Sequence, residues 1–294
     1  METSEIVEAL VDGEIWGAAE ALTGAGEGRI REVAEAVVDA ISDRREILDL
    51  VAELAFPPPA PPGSDARTRL LCGEIMGLLS AAMALQIAEE NWRDLTLSLA
   101  ALSAGESPFR VQEAAIAVLA RVATAAFEES RAFWEESLLE ADSARAGAAI
   151  RALGASGAPV LRVLDLFETV IRDTRKLIRE NIAARALPEL ARRDPQAVYQ
   201  RLRTWCATGD EMARWSVARA LQTALGGMYI DDALDILGIL AADERPMVWH
   251  AAAAGLVEIA QRNPRRVLPE IARWRDDPER FRAANRAFEM LAKR

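Results

Sequence analysis

The sequence predicts an all-α chain: an α-solenoid of stacked antiparallel helix hairpins in a right-handed superhelix, with about six clear repeats behind an N-terminal helical cap. Three observations predict it. Six segments superimpose at a spacing of 33 to 35 residues, each with a marker at the same point: Arg110, Arg145, Arg179, Arg214, Trp249 and Arg282. Around each marker, small and apolar residues recur at i, i+3, i+4 and i+7, the core stripe of an amphipathic helix. No window of alternating β-branched residues supports a strand. A period of this length means that each unit buries its apolar face only against its neighbours.

The elements follow in chain order. Residues 1–56 read as a helical cap, opening METSEIVEALVDGE, and 57–64 as a stiff connector, because Pro57, Pro58, Pro59, Pro61 and Pro62 cannot continue a helix. Residues 65–294 read as one continuous array. The stretch from Leu70 to Ala88 is long and apolar enough to raise a membrane span, but it holds Glu74 and Gln86 and many small residues, which predicts a helix buried between neighbours. The first helices of the hairpins start near Asn91, Glu128, Ala158, Asp194, Ile230 and Asn263, and the marked second helices near Phe109, Ala144, Ile178, Ala213, Val248 and Phe281. Asp194-Pro195 and Asn263-Pro264 join a capping side chain to a proline whose missing N–H costs nothing at a helix start. Gly209-Asp210 and Asp276-Asp277-Pro278 mark turns within hairpins.

An aspartate stands six residues before the marker in three repeats, Asp173, Asp243 and Asp276, and an apolar residue directly before it in Phe109, Ile178, Val248 and Phe281. In these residues the chain resembles the HEAT-repeat, armadillo-like family of α-solenoids over about residues 89–294. Ala104, Leu139 and Thr208 replace the aspartate, and Trp249 the arginine. The resemblance implies a binding surface rather than an activity. In repeat type and size the chain is also similar to HEAT-like glycosylases of alkylated DNA bases. That likeness implies a Trp, Asp and Arg trio gripping the backbone, here Trp205, Asp210 and Arg214, or Trp274, Asp277 and Arg282.

Half of the 294 residues are apolar and few are aromatic, so the core is built of Ala, Leu, Val and Ile. Charge is unevenly divided: net −16 over residues 1–150 and net +5 over 151–294. Overall acidity argues against indiscriminate nucleic-acid binding, while the basic second half leaves nucleic acid open as a partner. Cys72 and Cys206, far apart in apolar helices, read as buried thiols in a reducing, cytoplasmic setting. No basic-then-apolar leader opens the chain, and no membrane is expected as a partner.

The chemistry-bearing residues divide in two. Arg110, Arg145, Asp173, Arg179, Asp243 and Asp276 are expected to form a structural ladder, each arginine bonding to loop carbonyls and to the aspartate of an adjacent repeat. Arg214, Trp215, Arg219, Trp249, His250 and Arg282 are the candidates for a partner surface, since Trp and Arg at successive helix starts make a row of anchors. Trp205 and Trp274, near the ends of first helices, read as packing residues. His250 is the sole histidine. No metal-ligand spacing, phosphate loop or nucleophile elbow occurs, so neither a catalytic residue nor a metal or other cofactor is expected. Gly24-x-Gly26-x-Gly28 follows no strand, and the acidic pairs at 128–129, 135–136 and 231–232 read as solvated faces and caps. The expected function is a non-enzymatic scaffold for a protein partner, with a DNA-binding protein as the alternative.

Overall fold

A computed structural model describes residues 1–103 and 107–293, with Glu89 placed through its backbone alone; Ala104, which stands in a turn-aspartate position, lies outside the described residues. All regular structure among the described residues is helical. The chain divides into two compact units, 1–152 and 153–294.

The first unit holds α1 (Thr3–Val11), α2 (Ile15–Ala21), α3 (Glu27–Ala40), α4 (Arg44–Ala55), α5 (Ala66–Leu102), α6 (Phe109–Ala125), α7 (Arg131–Leu139) and most of α8 (Ser143–Ala155). Asp43 and Asp65 start α4 and α5 by accepting from the backbone N–H of Arg45 and Thr68, each at 2.8 Å. The apolar stretch Ala66–Ala88 has the length and composition of a membrane span. Here it serves as the unit's core helix: α2, α3, α4 and α6 all pack on α5, and Cys72, Met76, Leu79 and Met83 are fully buried. Its buried hydroxyl, Ser80 Oγ, donates to the Val51 carbonyl at 2.8 Å, as burial of a polar group demands.

The helices on either side of 57–64 therefore pack together. The connector is tied down as well, since Trp16 Nε1 donates to the Pro58 carbonyl at 3.3 Å. The expected separation of a cap from the array at this point gives way to a division within α8. The helix expected to begin at Asn91 is the distal arm of α5: the backbone leaves helical geometry at Asn91 (φ −122°, ψ 20°), and its side chain donates to the Ile87 carbonyl at 3.1 Å. No breaker stands there, so the two arms remain one kinked helix.

The second unit continues with α9 (Val160–Phe167), α10 (Lys176–Asn181), α11 (Leu187–Arg193), α12 (Pro195–Ala207), α13 (Glu211–Ala220), α14 (Leu225–Met228), α15 (Ile230–Ala241), α16 (Pro246–Arg262), α17 (Pro264–Arg275) and α18 (Phe281–Ala292). Asp194 caps α12 as expected, accepting from Ala197 N–H at 2.9 Å, whereas Asn263 stands before α17 without a side-chain cap bond. A π-helical turn, Ile182–Ala186, joins α10 to α11. Pro188, which has no N–H and whose ring would crowd the carbonyl four residues back, accounts for the widened turn. Gly154 lets backbones meet: a Cβ there would lie 2.6 Å from Ala186 Cα.

Packing in this unit is repetitive. Each second helix meets the next, as in α10 with α13, α13 with α16 and α16 with α18; first helices α9, α12 and α15 pack in sequence. Polar bonds repeat with it. Arg201 of α12 pairs with Asp165 of α9 at 2.5 Å, and Arg266 of α17 with Asp231 of α15 at 2.6 Å. Trp205 and Trp274 are core residues, 0% and 4% exposed, and Trp205 Nε1 donates to Glu168 at 2.5 Å.

Candidate functional site

The marker side chains lie in the first turns of the second helices of residues 153–294, and local devices set the starts of α13 and α16. Gly209 takes a left-handed φ of +73°, which turns the chain out of α12, and Asp210 caps α13 through Ala213 N–H at 2.8 Å. Pro246 opens α16, where its missing N–H goes unused.

Two aspartates, Asp243 buried and Asp173 half-buried, organise the inner layer of these starts. Asp243, 5% exposed, accepts from the Arg245 backbone N–H (2.9 Å), Arg245 Nε (2.8 Å) and Nη2 (2.6 Å), and Arg214 Nη1 (2.7 Å). Burial opposes its ionisation, but the hydrogen bonds from Arg245 and Arg214 outweigh burial and hold the carboxyl well below the ordinary carboxylate range. Arg214 also donates to the Cys206 carbonyl at 2.8 Å, and Arg245 to the Gly209 carbonyl at 2.6 Å, so this node stitches two hairpins together. Asp173 is held by Arg175 in the same manner, and hydrogen bonds from that guanidinium lower its pKa.

Arg179, 7% exposed, donates to the carbonyls of Asp173 (2.9 Å) and Thr174 (2.7 Å) and lies over the Trp215 ring at 4.8 Å. Its Nε is buried without a partner among the described residues. In the first unit, Arg110 pairs with Glu27 (3.1 Å) and Glu74 (3.2 Å), while Arg145 among the described residues reaches only Asp142 of its own helix start, at 3.8 Å. Asp276 departs from the expected ladder. It is exposed, and its neighbour Asp277 receives the bonds instead, from Glu279 N–H at 2.9 Å and from Arg280. The spacing of six was one residue off because α17 runs on to Arg275.

The outer layer is different. Trp249 and His250 stack with ring centroids 3.7 Å apart and planes at 24°, and Arg282 of α18 lies over the Trp249 ring at 5.9 Å. His250 and Arg282 are exposed and Trp249 is half-buried. Trp249 Nε1 is enclosed and has no acceptor among the described residues. Of the six candidates for a partner surface, these three come together. The other three are already engaged: Arg214 by Asp243, Arg219 by Glu180 at 3.0 Å, and one face of Trp215 by Arg179. Neither trio proposed for DNA holds an exposed tryptophan, since Trp205 and Trp274 are buried.

The residues that sequence reasoning missed are Arg175 and Arg245. Their signal was present as Asp173-x-Arg175 and Asp243-x-Arg245, the same three-residue pattern two repeats apart. Gln222 was missed too. It bridges second helices through a bond from Nε2 to the Ala251 carbonyl at 3.0 Å.

No protein-family model matches the chain. No curated protein matches it significantly. Among solved structures it is similar to an engineered protein determined by a structural genomics consortium, at 16% identity and a TM-score of 0.33 over 99% of this chain and 86% of that one, a likeness too slight to fix either fold or function.

Proposed function

We propose that the chain is a HEAT-like helical-repeat scaffold, without catalytic chemistry of its own, that binds a protein partner along the second-helix starts of residues 211–286. The repeat reading is supported by helices that lean on their hairpin partner and on the corresponding helix of the next hairpin, and by Arg214 bonding across to Asp243 of the following repeat. A cytoplasmic setting, where Cys72 and Cys206 stay reduced, belongs to the same reading.

The observation that carries the binding reading is the Trp249–His250–Arg282 cluster. Aromatic and arginine side chains that keep exposed faces are the usual anchors of an interface, because they bury large areas and still make directed bonds. A protein partner is favoured over DNA by the state of the other arginines. Arg175, Arg201, Arg214, Arg219, Arg245 and Arg266 each pair with a carboxylate of the same unit. Guanidiniums neutralised in this way leave little continuous positive field for phosphates to follow.

The test is affinity capture from the native host with the wild-type chain and with a His250→Ala, Arg282→Ala variant. Both side chains are exposed, so the helical spectrum should not change. The expected result is a protein captured by the wild type, resistant to nuclease treatment, and lost with the variant. Capture of nucleic acid, or of the same protein by both chains, would overturn the reading.

A further inference from the structure

A cavity in the first unit, of about 370 Å³, lies where three helix faces converge. Each face follows helical spacing: Glu27, Ile30 and Arg31 on α3; Leu78, Ala81, Ala82 and Leu85 on α5; Arg110, Glu113, Ala114, Ala117 and Val118 on α6. Alanines on two of the three faces hold the helices close yet leave room between them. The volume falls within the range of roughly 300–1,000 Å³ typical of small-molecule sites. Its floor is aliphatic, with Ile30, Leu78 and Val118 almost fully buried beneath it, and Phe109, 71% exposed, stands at the mouth.

The charges at the rim are not equivalent. Glu27 is held by Arg110 at 3.1 Å, and Glu113 by Arg151 of α8. Arg31 lines the same cavity, is exposed, and forms no ion pair among the described residues. Arg110 is shared between Glu27 and Glu74, and Arg151 holds Glu113, so each of these carboxylates already has a guanidinium partner, whereas Arg31 has no carboxylate among the described residues. A guanidinium presents paired N–H donors that suit a carboxylate. An apolar floor with one free guanidinium at its edge suits an aliphatic chain ending in an anion.

We propose that this cavity binds an amphiphilic carboxylate, an aliphatic acid of short to medium chain, with the chain over Ile30, Leu78, Leu85 and Val118 and the carboxylate at Arg31. The proposal is independent of the partner surface in residues 153–294 and would stand if that reading failed.

The experiment is methyl NMR of the full chain titrated with octanoate, octanol and octylamine. Octanoate should give saturable shifts confined to the methyls of Ile30, Leu78, Leu85 and Val118. Octanol should bind more weakly and octylamine more weakly still. Arg31→Glu should weaken octanoate by about tenfold, because an attraction at the rim becomes a repulsion. Ala82→Leu with Ala117→Leu, which fills the groove from partly solvated positions without removing any contact, should abolish the shifts. Equal binding of the three probes would overturn the carboxylate assignment, and octanoate binding indifferent to Arg31→Glu would do the same. Absence of saturable shifts, shifts spread over surface methyls, or shifts that persist in the filled variant would overturn the site itself.

Discussion

Replacing Asp243 with alanine should cost the protein about 3 kcal/mol at neutral pH. The carboxylate is 2% exposed as a side chain and accepts four bonds, all from Arg214 and Arg245. Hydrogen bonds to charged groups contribute about 1.5–3 kcal/mol each, but they do not add here. The two arginine side chains retain 21% and 32% exposure, and each keeps a carbonyl acceptor, so part of their charge is re-solvated in the variant. The expected loss therefore sits at the low end of the roughly 3–5 kcal/mol seen when one partner of a buried ion pair is removed. Asp243→Asn keeps an acceptor and loses the charge, and should cost about half as much.

The pH dependence has a definite sign. The folded-state pKa of Asp243 is depressed, so its contribution is complete above the unfolded value, near about 3.9, and is lost as pH falls through the folded value. Urea titrations followed by far-ultraviolet circular dichroism should show the gap between wild type and Asp243→Ala at about pH 7, narrowing as pH is lowered from about 5 towards 2. A gap below about 0.5 kcal/mol at neutral pH, typical of an exposed substitution, would refute the account of this node. A gap that does not change with pH would refute its ionic character.

Three other outcomes follow from the same structure. Burial pushes the Cys206 thiol up to about 12, so alkylation read by mass spectrometry should leave it unmodified in the folded protein at neutral pH and modify it only on unfolding. Gly154→Ala should destabilise by about 1–3 kcal/mol, since the new methyl meets the Ala186 backbone, and a neutral result in a urea titration would contradict that close approach. If the proposed repeat reading holds, a chain ending at Ala242 should stay helical but melt earlier, having lost only terminal contacts; complete loss of its helical spectrum would mean a single indivisible core.

Much of this fold was legible. Leu, Val and Ala at helical spacing marked both helices of most hairpins, and Asp194-Pro195 fixed the start of α12 to the residue. What escaped was decided by tertiary packing or local backbone geometry. Nothing in the run through Asn91 reads as a breaker, so one kinked helix of 37 residues could not be told from two. The apolar stretch 70–88 was legible as a buried helix, but not that α2, α3 and α4 would join α6 in covering it, which is why the connector at 57–64 looked like a boundary.

The site was legible as a set of residue types and not as an arrangement. Arg214 and Trp249 occupy equivalent positions in successive repeats, yet the first is spent on Asp243 and the second carries the outward cluster. That difference depends on which neighbour holds a carboxylate, and the turn before Arg214 carries Thr208 where its neighbours on either side carry Asp173 and Asp243.

The most direct test of the partner surface is hydrogen–deuterium exchange on the wild-type chain, free and bound to the protein it captures. The account predicts slowed exchange in residues 211–219, 246–254 and 281–286, at the starts of α13, α16 and α18. Protection confined to the first helices at 160–167 and 230–241, or to residues 1–152, would contradict it.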